Sequence, residues 1–277
     1  MHRLLLVLLL MLPLLGQSQD TLRAMTYNIR YLNAADWEHH WNVRKERLVE
    51  QIKTARPGIL GCQEALNIQV VDLEQALPGY TWVGVGRDDG REGGEFAPIF
   101  VRQDYFKVLK AGTFWLSSTP DTPSTGWDAA CPRIVTWVRV MQKGSGRKFY
   151  VFNTHLDHEG KLARELSTRM LLRKMQEITA GQPAMVMGDF NFTPESRYYP
   201  MLINRESPLR DTFASASGSD YTYPGSGFKA EMGKDAKRID YIFATPQFRP
   251  VSASILHNIE EGFYPSDHLP QLSLVLF

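Results

Sequence analysis

The chain has 277 residues, a formal net charge of +1, 43% hydrophobic and 22% charged residues. That length buries about three quarters of the unfolded surface in one large domain, and the composition excludes a long disordered tract. The near-neutral balance argues against a strongly basic surface built for tight non-specific nucleic-acid binding, although a local basic patch fits within it.

The first nineteen residues stand apart: Met1-His2-Arg3, an apolar run to Leu15, then Gly16-Gln17-Ser18-Gln19. This pattern reads as a secretory signal peptide, since roughly a dozen apolar residues fall short of the ~20 a spanning helix needs. The expectation is an exported chain, periplasmic or extracellular, of residues 20–277. It has no stable membrane anchor, forms one domain and is monomeric. Cys62 and Cys131 make no disulfide framework even in an oxidising compartment. Cys62 lies in an apolar run as a small buried hydrophobe, and a bridge between the two is disfavoured.

Residues 22–29 alternate as a strand, and 43–55 have helical spacing stopped by Pro57-Gly58. A short apolar strand, 59–63, ends at Glu64, and a second helix, 67–77, is closed by Pro78-Gly79. Strands follow at 81–85, 96–101, 106–115, 134–141 and 149–154, separated by turns such as Lys143-Gly144-Ser145-Gly146, so the middle reads as antiparallel. The clearest helix is 161–179, with Leu162, Leu166, Met170, Leu171, Met175 and Ile178 as its apolar side. A buried strand at 184–187, a loop-helix near 194–204 and a polar Gly/Ser/Tyr stretch at 214–237 precede strands at 239–244, 251–255 and 272–276. Two central sheets with helices outside is the economical architecture.

Polar residues end many of these apolar runs: Asn28, Glu64, His155, Asp189 and Asn191, Asp240, and the pair Asp267-His268. Any one alone is more often a turn former. Gathered at strand ends, with almost no thiolates and few histidines, they suit a hard oxygen-preferring cation such as Mg²⁺ or Mn²⁺, and zinc is a poor match. Phosphate-ester hydrolysis builds charge on oxygen, which a divalent cation and protonated imidazoles stabilise while a carboxylate prepares water.

Gly188-Asp189-Phe190-Asn191 and Ser266-Asp267-His268-Leu269-Pro270, with Glu64 and Asn153-Thr154-His155 upstream, resemble the endonuclease/exonuclease/phosphatase superfamily. The resemblance spans Thr26-Tyr27-Asn28-Ile29-Arg30 to Pro270 and implies a DNase I-like four-layer α/β sandwich, two mixed β-sheets flanked by helices. It also implies a Mg²⁺ or Mn²⁺ site formed by Glu64 with Asn28 and Asp267. Asp189 resembles the acid that orients or deprotonates the attacking water, and Asn191 the residue that holds a phosphate oxygen. By the same resemblance His268 contacts the scissile phosphate and is held by Asp240, His155 is a second phosphate-binding histidine, and Glu95 orients His155. Gly112-Thr113-Phe114-Trp115-Leu116-Ser117 and Gly126-Trp127-Asp128 look like the exported bacterial Ccr4-related branch.

Arg133 reads equally as a phosphate clamp or a surface arginine on a strand edge, and Asp157 is the preferred candidate for a substrate contact. Trp115, Trp127, Tyr221, Tyr223 and Phe228 are positioned to stack on a base or sugar, or simply to pack. The expected partner is a phosphoester such as a nucleic acid or nucleotide, with phosphodiester cleavage favoured. An inositol-phosphate or sphingomyelin-type phosphatase or phospholipase is the alternative. A non-catalytic binding domain on the same scaffold is disfavoured because the polar set is intact.

Overall fold

The computed structural model describes residues 21–213 and 221–277. The expected signal segment, 1–19, lies outside the described residues, as do residues 214–220 of the polar stretch.

Twelve strands are described: β1 (Thr21–Asn28), β2 (Ile59–Gln63), β3 (Tyr80–Val83), β4 (Ile99–Arg102), β5 (Phe106–Trp115), β6 (Ile134–Gln142), β7 (Lys148–His155), β8 (Ala184–Asp189), β9 (Arg210–Asp211), β10 (Asp240–Ala244), β11 (Arg249–Ile255) and β12 (Gln271–Leu276). They form two six-stranded sheets, ordered β11-β12-β1-β2-β4-β3 and β5-β6-β7-β8-β10-β9. Each sheet holds one parallel pair, β1 with β2 and β7 with β8, and the remaining pairs are antiparallel. A parallel pair requires a crossover. Helix α1 (Trp41–Ala55) supplies the first and α3 (Lys161–Thr179) the second, while α2 (Asn67–Ala76) and α4 (Tyr199–Ile203) complete the outer layers.

Each helix packs by a stripe of helical period. On α1, Trp41, Arg44, Leu48, Val49, Ile52 and Ala55 are buried, and they join Met25, Tyr27 and Leu60 in one cluster except for Arg44. On α3 the inward face is Ala163, Ser167, Thr168, Met170, Leu171 and Met175, whereas Leu162 is 48% exposed. The expected apolar side is thus shifted, because small residues let the first turns of α3 approach the sheet and leave Leu162 on the rim. Asp128, from a distant loop, accepts from the amides of Leu162 (3.2 Å) and Ala163 (2.6 Å), which satisfies the helix start.

Between the sheets lies an aliphatic core including Leu22, Ile59, Val138, Val151, Met185 and Ile242. One polar tie crosses it near the site. Gln63 Nε2 donates to Asn153 Oδ1 (2.6 Å), and Asn153 Nδ2 donates to the carbonyls of Cys62 (2.7 Å) and Pro98 (2.9 Å). Gly61 faces this tie with no room for a side chain, since a Cβ there would stand 2.8 Å from both Asn153 Oδ1 and Met187 Sδ.

The expected strands at 81–85 and 96–101 are shorter and shifted, because Gly84 bends the first away and Phe96 makes only isolated bridges to Ala65 and Gly86. Helix α1 begins at Trp41, after a 3₁₀ turn at Ala34–His39 whose short polar sequence carries no apolar period. Cys62 and Cys131 are both free thiols. Among the described residues no helix is long and apolar enough to cross a membrane.

Candidate active site

Strand register gathers the polar residues. On the second sheet His155 pairs with Asp189 across β7 and β8, and Asp189 pairs with Asp240 across β8 and β10, so three side chains stand abreast at one end. On the first sheet Asn28 pairs with Gln63, and Glu64 follows directly. The segment ahead of β12 brings in Asp267 and His268, because β12 pairs with β1 as far as Thr26 and Gln271. Ser266 Oγ locks that segment by donating to the carbonyl of Asn28 (2.8 Å).

Asp189 is the hub. Its Oδ2 accepts from Asn28 Nδ2 (3.0 Å) and lies 3.5 Å from His155 Nε2 and 3.8 Å from His268 Nε2, while Oδ1 accepts from the amide of Asn191 (2.9 Å). Burial, reinforced by the neighbouring Asp240 carboxylate, raises the Asp189 pKa above the ordinary carboxylate range.

The two histidines are driven in opposite directions. Burial alone would lower the His268 pKa, but its Nδ1 sits 2.9 Å from Asp240 Oδ2, and the carboxylate raises it to about 10. His268 is therefore an imidazolium, with the Tyr223 ring tilted against it at 5.2 Å between centroids. His155 is pushed well below its usual value by burial and by the guanidinium groups of Arg133 and Arg87. Asn191 Nδ2 donates both to the Leu156 carbonyl (3.0 Å) and to His155 Nε2 (3.0 Å), which makes Nε2 the acceptor of a neutral ring.

Three non-glycine residues here have left-handed backbone, Arg30 (φ 57°), Glu64 (φ 61°) and Asn191 (φ 52°). Asn tolerates this region, but for Glu it costs on the order of 1–2 kcal/mol. Glu64 is held there by its own carboxylate: Oε1 accepts from Asn28 Nδ2 (2.9 Å) and Oε2 from the amide of Tyr31 (3.2 Å). Strain concentrated at a carboxylate on a strand end points to a functional constraint.

The sequence matches the Endonuclease/Exonuclease/phosphatase family over residues 25–268, which takes in every strand-end residue described above. The chain belongs to that family. Its fold is the family's, and the family comprises phosphoester hydrolases that generally use a divalent metal. A crystal structure of an endonuclease/exonuclease/phosphatase protein from Bacteroides vulgatus is 41% identical, with TM-score 0.88 over 93% of this chain and 100% of that one. The mannosyl-6-phosphatase of Bacteroides thetaiotaomicron is 35% identical, with TM-score 0.86 over 92% of this chain and 100% of that one. An uncharacterized protein of Acanthamoeba polyphaga mimivirus is 24% identical over 256 residues, 84% of this chain and 91% of that protein.

The donor set of this family member fits a hard divalent ion at Glu64 and Asp267. Each oxygen of Glu64 accepts one hydrogen bond, which leaves lone pairs open. Asp267 lies beside it, with Ser266 Oγ 3.4 Å from its Oδ1 and Arg30 Nη1 3.8 Å from its Oδ2, and burial raises its pKa. Asn28 Oδ1 accepts from the amide of Arg30 (3.0 Å), while its Nδ2 donates to Glu64 and Asp189 and holds both in place. Asp189, Asp240 and His268 also offer ligand atoms within 4.8 Å of one another. There His268 stands between the two carboxylates, its Nδ1 2.9 Å from Asp240 Oδ2 and its Nε2 3.8 Å from Asp189 Oδ2.

Three further expectations are corrected by geometry. Glu95 does not hydrogen-bond His155; its Oε2 is 3.9 Å from Nδ1 because Arg87 grips both oxygens (2.6 and 2.9 Å). Asp157 is 1% exposed, and its oxygens accept from the amides of Ala130, Glu159 and Gly160 and from Arg133 Nε, leaving it a loop anchor rather than a substrate contact. Arg133 is 3% exposed, so it is no surface arginine, and its Nη2 reaches His158 Nδ1 (2.9 Å).

Of the five aromatics singled out, Tyr223 reaches the site through His268. Trp115 is buried and donates to the Arg87 carbonyl, Phe228 stacks on His39, Tyr221 packs edge-on to His257, and Trp127 is 38% exposed. Residues not anticipated include Arg87 and Arg44. Buried Arg44 donates to the carbonyls of Ile29, Arg30, His39 and Pro265, stapling the Arg30 loop to the segment that carries Asp267. On a helix an arginine reads as a solvated face, so its spacing gave no signal of this role.

Proposed function

We propose that this protein is a divalent-cation-dependent phosphoester hydrolase acting on a phosphorylated carbohydrate. The observation that carries the chemistry is Asp189 lying between a neutral His155 and a cationic His268. Asp189, with its raised proton affinity, accepts a proton from the attacking water. His268, kept charged by Asp240, pairs with a phosphoryl oxygen, while Asn191 fixes the neutral tautomer of His155 on the opposite side. Glu64 and Asp267 would hold Mg²⁺ or Mn²⁺, which when bound supplies Lewis-acid stabilisation of charge on the phosphoryl oxygens.

For the substrate, the 35% identical mannosyl-6-phosphatase favours a sugar phosphomonoester over the phosphodiester expected from sequence. The arginines nearest His155 support the same choice, since Arg87 and Arg133 are already paired with Glu95 and Asp157 and offer no basic track for a polynucleotide. We also read the protein as exported and monomeric, with Asp20 the first residue after cleavage. Mass spectrometry of the secreted chain and light scattering test those two points.

The test of function is hydrolysis by the purified chain of mannose 6-phosphate, other sugar phosphates, inositol phosphates, sphingomyelin, an aryl phosphodiester, DNA and RNA, with Mg²⁺, Mn²⁺ or EDTA. The expected result is metal-dependent release of phosphate from a sugar phosphate, lost at least a hundredfold in Glu64→Gln. Turnover confined to diesters would replace the substrate reading, and turnover unaffected by EDTA or by Glu64→Gln would overturn the chemistry.

A further inference from the structure

The sandwich has two open ends, and only one holds the residues described so far. At the other end, a cavity of about 320 Å³ lies between the sheets, walled by Arg23, Arg56 and Arg102 with Tyr105, Phe106 and Gln142. Arg23 sits five residues before Asn28 on β1, roughly 17 Å away at ~3.3 Å per residue, so this cavity is separate from the cleft. We propose that it is a second binding site, one that takes a small ligand bearing a phosphate or another tetrahedral oxyanion.

Three observations converge on that ligand chemistry. The cavity is lined by three guanidinium groups and no acidic side chain. An adjoining cavity of about 230 Å³ shares Arg56 and Arg102 and adds Lys53, with Asp104 its one carboxylate. Such an excess of cation in a concave site draws an anion with more than one charge.

The arginines are also available. Among the described residues the Arg56 side chain has no hydrogen bond or ion pair. Arg102 contacts Asp104, which is 63% exposed and forms a pair worth little in water, and Arg23 commits one nitrogen to the Ala55 carbonyl. Guanidinium groups match the spacing of oxygens on phosphate, which a carboxylate offers only on one edge.

The backbone supports the assignment. Arg56 ends α1 in left-handed conformation (φ 48°, ψ 52°), a position where glycine is the unstrained choice. A side chain is thus carried at a place where it costs energy, and it is a guanidinium that faces the cavity. Gly58 lets the Phe106 ring pack closely against this wall, because a Cβ there would come within 2.9 Å of it.

Calorimetric titration of the full chain with pyrophosphate, in EDTA, tests this site apart from catalysis. The expected result is binding that persists in His268→Ala, weakens about tenfold or more in Arg56→Gln and in Arg102→Gln, and falls as NaCl is raised. Sugar-phosphate turnover stays unchanged in both arginine variants. Binding equal to wild type in the arginine variants, binding lost in His268→Ala, or acetate bound as tightly as pyrophosphate would each overturn the proposal. Arg56 is exposed and unpartnered, so its variant decides the matter even if Arg102→Gln fails to fold.

Discussion

His268 Nδ1 lies 2.9 Å from Asp240 Oδ2, and this contact makes the ring a cation inside a buried site. The two residues are 28 apart in sequence, and β10 and the segment before β12 bring them together. The geometry assigns Asp240 to positioning: it orients the imidazole and stabilises its charge, while the opposite nitrogen faces Asp189.

Replacing Asp240 with Asn keeps the shape and removes that charge. Turnover is expected to fall roughly 10²–10⁴-fold, the range for a displaced acid–base group, and the fold is expected to lose stability at neutral pH, because the stabilisation supplied by the charged pair goes with the carboxylate. Steady-state kinetics with a melting curve check this. A drop of less than fivefold would remove Asp240 from the mechanism.

The same pair sets a pH dependence of folding. The folded pKa of His268, about 10, exceeds its unfolded value near 6.5, so the stabilisation is fully present below ~6.5 and is lost as pH rises through ~10. Compared with His268→Gln in EDTA, the wild-type advantage in unfolding free energy should shrink by about 1.4 kcal/mol per pH unit over that window. Urea titrations at several pH values measure it, and a constant difference from pH 6 to 10 would contradict the charged state of His268.

Arg87 holds Glu95 away from His155 and adds positive charge beside it. In Arg87→Met both effects vanish, so the His155 pKa should rise toward its ordinary value, with burial and Arg133 still holding it below. Imidazole resonances followed by NMR through pH 5 to 8 report the shift. An unmoved His155 would mean that burial and Arg133 keep it neutral without Arg87.

Asn153 joins the sheets, and Asn153→Leu would remove its hydrogen bonds to the Cys62 and Pro98 carbonyls and the one it accepts from Gln63 Nε2. The expected cost is about 2–4 kcal/mol in unfolding free energy. Because Gln63 adjoins Glu64, a loosened site should also raise KM more than the loss of stability alone explains. A urea midpoint equal to wild type would show that the tie is dispensable.

Much of the site was legible because its residues terminate apolar runs, and strand ends in a layered fold point at one rim. Asn28, Glu64, His155, Asp189, Asp240 and His268 all meet there, as the pattern of run followed by polar residue implied. Asp157, singled out for lying just past His155, and Glu95, singled out by the family resemblance, were claimed by neighbours. Three backbone amides and Arg133 take Asp157, and Arg87 takes Glu95.

The sequence by itself therefore determined the elements, the two-sheet architecture and the strand-end carboxylates, because periodicity and chain breaks are local properties. The tertiary structure alone decided which acid pairs with which base, that His268 is charged and His155 neutral, and that Arg23, Arg56 and Arg102 share one cavity. Those outcomes depend on burial and on distances of a few ångströms between residues far apart in the chain. Electrostatic free energy varies with both, and neither is written in the order of the residues.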